Sequence, residues 1–200
     1  MLKRRYINRT HGIEYISVEK AACTSIKVSL LLADEIDPPD ELFKVHWHPH
    51  WFTQWIKSVD IQWTFTFVRN PLDRLASLWY DMVRTGRSDE FRADLPSSMT
   101  FPEFVRWMVS RNDVPNRHYA PKTLVLKRST NGRGIDFIGH VETATDDWKT
   151  VQAHAPGLGD LPHRNVSGKP KNWRAFYDDE TLAIARGYYA GDLRRWPLYQ

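Results

Sequence analysis

Cysteine is almost missing. Cys23 stands alone in a chain of 200 residues, so no disulfide can form within it. A fold without cross-links must rest on its core, and a lone thiol fits a reducing, cytoplasmic setting. Long apolar runs are missing as well. The best run near the N-terminus, in VSLLLA, falls far short of the ~20 residues that cross a bilayer. The basic opening MLKRRYINRTHG has no apolar stretch behind it, which predicts neither a signal peptide nor stable membrane insertion. No excess of one charge stands out. Lys and Arg total 28 against 24 Asp and Glu, and the net +4 is spread over the whole chain. That balance argues against a nucleic-acid binder, while leaving room for a small anionic ligand. Internal repeats and low-complexity segments are absent. So is any G-x-x-x-x-G-K-[ST] sequence, the standard phosphate loop of kinases and ATPases.

What is present suffices for a packed domain. Apolar residues make up 42% of the chain, and its nine Trp and nine Phe are spread along it. We therefore expect one domain over residues 1–200 with a real core. Tyr15 to Val18 is β-prone; a small-residue turn and then IKVSLLLA follow, a helix stopped by DEIDPPD. Leu42 to Val45 reads as a strand, and the His- and Trp-rich stretch after it as a loop or short helix. Trp63 to Val68 is the strongest strand. Asn70 then caps a helix with Pro71 at its first position and an apolar stripe at Leu72, Leu75, Ala76, Trp79, Met82 and Val83. Thr100 and Glu103 form a capping box ahead of another helix. Phe137 to Val141 is a strand, a helix follows from about Thr145, and a last helix opens on Asp178, Asp179 and Glu180. Strands alternating with helices predict an α/β fold, a P-loop-like three-layer arrangement with a central, mainly parallel sheet flanked by helices. In such sheets ligands bind beyond the carboxyl ends of the strands.

Two strand-to-helix turns carry the chemistry. In the first, Val18 to Ser25, small residues before a helix leave backbone N–H groups aimed at one centre, backed by the positive helix end. Lys20 can reach an oxygen of a phosphate-like group, and Thr24 and Ser25 add hydroxyls. An ordinary turn with Lys20 in solvent is the competing reading. In the second, Phe67 to Ser77, Arg69 stands where the strongest strand ends and can grip a phosphate through two donors. Ser77, eight residues on, lies off the apolar stripe and is free to meet the same anion. Here the competing reading pairs Arg69 with Asp73 and leaves Ser77 as packing.

The two segments, in this order and about fifty residues apart, resemble the paired donor-binding motifs of sulfotransferases that use 3′-phosphoadenosine-5′-phosphosulfate (PAPS). The carbohydrate sulfotransferases and their bacterial relatives are the nearest branch. EKAACTSIK is similar to that family's 5′-phosphosulfate loop, with Glu19 where the family usually has Pro. FVRNPLDRLASLWY is similar to its 3′-phosphate motif, and DFIGHVETATDDW, LPHRNVSG and YYAGDLRRWPLY to later segments. The resemblance implies that Lys20, Ala22, Cys23, Thr24 and Ser25 hold the 5′-phosphosulfate, and Arg69 and Ser77 the 3′-phosphate. It further implies that Asn165, Ser167 and Lys169 approach the nucleotide. The expected reaction is in-line transfer of a sulfuryl group from PAPS to an acceptor hydroxyl, on a carbohydrate by the branch, leaving PAP. Lys20 would stabilise the leaving group.

The acceptor must lose a proton. His46, His48 and His50 lie between the two turns, and imidazole titrates near neutrality. A His-x-His pattern with a catalytic base occurs in some members of that branch. We take His48 first, His46 second and His50 third. Glu14, Asp60 and Glu142 are other bases, and packing histidines are an alternative. Zinc is not expected, because no Cys or carboxylate at metal spacing accompanies the three and Pro49 breaks the segment. Trp47, Trp51 and Trp55 recur every four residues, as core or as a stacking platform for the acceptor. Two other functions fit less well: a P-loop-type kinase or nucleotide hydrolase, and a non-catalytic module that binds glycans or polyanions.

Overall fold

A computed structural model describes residues 5–52, 60–86, 95–96, 98–111, 116–129, 134–162 and 169–200. Four strands form one sheet: β1 (Arg5–Asn8), β2 (Ile13–Ile16), β3 (Trp63–Val68) and β4 (Phe137–His140), side by side in chain order. β1 runs antiparallel to β2, whereas the β2–β3 and β3–β4 pairs are parallel. With the helices that flank it, this is the mainly parallel α/β arrangement expected. β1 was not foreseen, and β2 both begins and ends two residues before the expected Tyr15 to Val18. The two strands join through Gly12, whose φ of 65° suits glycine and whose absent Cβ would stand 2.8 Å from the Asp60 carbonyl oxygen.

The chain divides into two compact units, Met1–Val68 with Leu126–Asn165, and Arg69–Val125 with Val166–Gln200. In the first, helix α1 spans Cys23–Ala33. The expected strand at Leu42 to Val45 is instead part of a 3₁₀ helix, Leu42–Trp47. A local bond from Lys44 N to Glu41 O, 2.8 Å, closes its first turn, and this short-range pairing prevails over the β preference of a few residues. A short helix α2, Pro49–Phe52, follows. Trp51 donates from Nε1 to the Val45 carbonyl at 2.7 Å, which ties the two segments together. Alternation places Tyr15, Phe65 and Phe67 on one sheet face. There they share a core with Ile26 and Leu30 of α1 and with Trp148 and Val151 of α6 (Ala144–His154). Gly139 lies opposite Phe67 in the β3–β4 register.

In the second unit, α3 (Pro71–Leu78) runs on as a π-helical turn, Trp79–Arg84. The Asn70 side chain accepts from Leu72 N and Asp73 N, the expected N-cap. Helix α4 (Phe101–Ser110) opens on the Thr100–Glu103 capping box. The acids at 178–180 open α7 (Asp179–Tyr188), and α8 (Ala190–Arg195) comes after it. Leu72, Leu75 and Ala76 pack with Phe104, Met108, Leu182 and Tyr189. Helix α5 (Lys122–Ser129), not foreseen, has only its first turn in this unit, and that turn is capped from a distance: the Asp192 carboxylate accepts from Lys122 N and Thr123 N. Arg74 is fully buried in this unit and donates to the carbonyls of His118, Tyr119 and Ala120.

Candidate functional site

The first turn leaves β2 and runs into α1. Lys20 and Ala22 both have left-handed backbones, φ 63° and 56°, a conformation that costs an L-residue about 1–2 kcal/mol. Such alternation of hand turns successive N–H groups toward one point, the geometry of an anion nest. Ala22 holds the N-cap position of α1 and its methyl offers no acceptor to the first-turn amides. Thr24 and Ser25 occupy that first turn, each 5% exposed, and Cys23 beside them is half-buried. The five residues expected to hold the 5′-phosphosulfate are therefore together by chain and by fold. Glu19, ahead of Lys20 in this turn, is buried. Tyr15 at the end of β2 is held protonated, its pKa raised first by burial and then by Cys23.

His46 reaches this turn from the 3₁₀ helix. Its Nε2 lies 3.4 Å from Thr24 Oγ1, and its Nδ1 lies 2.6 Å from Lys27 Nζ. Lys27 is fully buried on α1, with its ammonium 4.3 Å from the centre of the Tyr6 ring. Sequence reading passed over Lys27 as one residue of an apolar helix. The available signal was its place three residues after Thr24, on the same side of α1.

The other two histidines differ. His50 Nε2 lies 2.9 Å from an oxygen of Asp34. That carboxylate also accepts from Asn8 Nδ2, Arg9 N and Thr10 N. His50 thus joins a clasp on the β1–β2 turn. His48 accepts at Nδ1 from His50 N at 3.3 Å. Its pKa is lowered, first by burial and then by His50, so its ring is neutral at pH 7.

The second turn leaves β3. Arg69 donates from Nε to Asp73 Oδ2 at 2.9 Å, with its terminal nitrogen 2.7 Å from the same oxygen. The pairing with Asp73 is thus present, and a fifth of the Arg69 side chain is still exposed. Lys169 comes to the other oxygen of Asp73, at 2.9 Å, with its side chain 4% exposed. Asp73 therefore joins Arg69 and Lys169, two residues a hundred positions apart in the chain, into a cluster of net charge +1. Sequence reading named both cations and set Asp73 beside Arg69, but it did not foresee that the same carboxylate also gathers Lys169. Ser77 is buried on α3, two turns beyond Arg69. Asn165, Ser167 and Trp55 lie outside the described residues.

β2 and β3 are parallel neighbours, so the two turns depart from the same edge of the sheet. Trp51 is buried at 5% exposure and Trp47 is 57% exposed, which divides the expected tryptophan cluster into packing and surface. Among the described residues no three His, Cys, Asp or Glu are grouped to hold a metal, and no helix is long and apolar enough to cross a membrane.

The family model described as "Sulfotransferase family" matches residues 3–192, and the chain belongs to that family. No curated protein and no solved structure matches it. Membership makes the chain a transferase of sulfuryl groups from a sulfate donor to a hydroxyl acceptor.

Proposed function

We propose that the donor is PAPS and that the acceptor hydroxyl sits on a carbohydrate. The observation that carries the donor is the pair of anion-fitted turns at the ends of two adjacent parallel strands. One has a nest and Lys20; the other has Arg69 and Lys169 around Asp73. Lys20, Thr24, Ser25 and the backbone at Ala22 and Cys23 take the 5′-phosphosulfate. Arg69, Lys169 and Ser77 take the 3′-phosphate, which ATP lacks.

The acceptor oxygen attacks sulfur, forming an S–O bond as the bond from sulfur to the bridging phosphate oxygen breaks. Negative charge builds on that bridging oxygen and Lys20 stabilises it. The acceptor proton passes to neutral His48, and PAP departs. Arg69 fixes the nucleotide so that sulfur meets the acceptor. The carbohydrate assignment rests on the resemblance to that branch; Trp47, more than half exposed, is an aromatic side chain at the surface near the histidine segment.

Titration calorimetry tests the donor: PAP binds far better than AMP with no Mg²⁺ present, and tighter binding of ATP–Mg²⁺ would overturn the reading. Transfer of labelled sulfate from PAPS across a panel of glycans and phenols tests the acceptor. Lys20→Ala abolishes transfer while PAP still binds; retained turnover would remove Lys20 from the chemistry.

A further inference from the structure

We infer that Lys27 and His46 are positioning residues that fix the direction of the Thr24 hydroxyl, through a one-way chain of hydrogen bonds running from the buried ammonium into the first phosphate turn. The contacts of Lys27, His46 and Thr24 stand without any ligand; the anion at the end of the chain rests on the donor reading above.

The chain follows from the donors and acceptors available. An ammonium carries three hydrogens and no lone pair, so at 2.6 Å from His46 Nδ1 it must donate. The Tyr6 ring face, 4.3 Å from Nζ, favours that charged form. Nδ1 is then an acceptor and carries no proton. A second proton on the ring would set two cations against each other inside a buried contact. The neutral ring has one hydrogen left, and it sits on Nε2, the nitrogen 3.4 Å from Thr24 Oγ1. Thr24 therefore accepts from His46, and its own hydrogen is free to point away from the imidazole. Thr24 lies 5% exposed in the first turn of α1, so that hydrogen is available to an anion held by the turn.

Three donors aligned head to tail polarise one another. The charge of Lys27 is thereby felt at a hydroxyl it does not touch. In this arrangement His46 has no basic nitrogen to offer the acceptor. It acts through Thr24, and the proton-accepting role is left to His48.

Histidine tautomers can be read directly from ¹⁵N shifts in long-range ¹H–¹⁵N spectra of protein labelled at histidine. The expected result for the ligand-free protein is a single His46 form, bare at Nδ1 and protonated at Nε2. A proton on Nδ1, or an imidazolium at pH 7, would overturn the inference. In Lys27→Met the fixed tautomer is lost and PAP binding weakens about three- to tenfold, the scale of one hydrogen bond. Should that variant fail to fold, His46 supplies a second pair. His46→Gln can still accept from Lys27 and donate to Thr24, so it rescues the PAP affinity that His46→Leu loses. Equal affinity in His46→Leu and the wild type would also overturn the inference. Absence of PAP binding by the wild type would instead sink the donor reading, and the tautomer result would stand apart from it.

Discussion

Ala22 is held at φ 56° at the mouth of α1, where a methyl group costs about 1–2 kcal/mol. Glycine removes that cost and adds about 0.4–1 kcal/mol of chain entropy in the unfolded state. Ala22→Gly is therefore expected to leave the protein equally stable or more so, by up to about 1.6 kcal/mol, read in a urea melt. A clear loss of stability would show that the methyl is needed for packing. Arg69 gives a second residue-scale prediction. Its guanidinium is held by Asp73 yet partly open, so Arg69→Ala should cost PAP about 1.5–3 kcal/mol, a charged hydrogen bond, and AMP little. Equal losses for PAP and AMP in calorimetry would make Arg69 structural. His48 supplies the pH dependence. Burial, and then His50, lower its pKa from 6.5. Between the lowered value and 6.5 the unfolded chain binds more protons than the folded one, so the stability contributed by this group rises with pH across that window. It is lost in full below it and complete above. In the proposed mechanism a base so tuned stays ready at neutral pH: the acid limb of the kcat/KM profile should have its midpoint below 6.5, and His48→Asn should remove that limb. At this scale the sequence singled out the cations and hydroxyls of the two turns as candidates, because those are the residue types phosphate chemistry demands. It did not disclose Asp73 as the link between Arg69 and Lys169, or Lys27 behind His46. Those contacts depend on a fold that brings distant residues together.

Among the elements, β3 shows how strongly local pattern can decide. Its aromatic and β-branched run was read over Trp63 to Val68, and the strand has those bounds. Asn70, Pro71 and Asp73 likewise announced α3 through capping chemistry that needs no tertiary context. β1 was not legible: Arg5–Asn8 is four residues behind a basic start, and it becomes a strand only because β2 offers a partner. The Leu42–Val45 reading failed for the complementary reason. Those residues have β preference, but the segment closes on itself through a local turn bond. One element-scale prediction turns on the β3–β4 register. A Cβ at Gly139 would lie 2.7 Å from ring atoms of Phe67, and that ring is fully buried in contact with Phe137 and Trp148. Gly139→Ala should cost about 1–3 kcal/mol by overpacking, measured by chemical denaturation. A smaller residue opposite, as in Gly139→Ala with Phe67→Leu, should recover part of that loss, since the two changes share one contact.

For the molecule as a whole, the family match runs from residue 3 to residue 192 and so takes in both compact units. Lys20 and His46 belong to the first unit, and Arg69 and Lys169 to the second. The mainly parallel α/β class was legible because strands and helices alternate along the sequence. The division into units was not, because it depends on which distant segments pack together. A ligand that binds the folded chain and ignores the unfolded one stabilises by mass action, by about 2.7 kcal/mol at a hundred times its dissociation constant. For a chain of this size each kcal/mol moves the melting temperature by about 2–4 °C. PAP at that excess is thus expected to raise the Tm by about 5–10 °C in a thermal melt. AMP at the same concentration should give a much smaller shift, because it lacks the 3′-phosphate that Arg69 and Lys169 would meet. Addition of EDTA should leave the PAP shift unchanged, since in the proposed mode lysine, arginine and backbone N–H groups neutralise the phosphates. A PAP shift that disappears on chelation would instead place a divalent cation among the phosphate contacts, and the cationic cluster around Asp73 would then need another role.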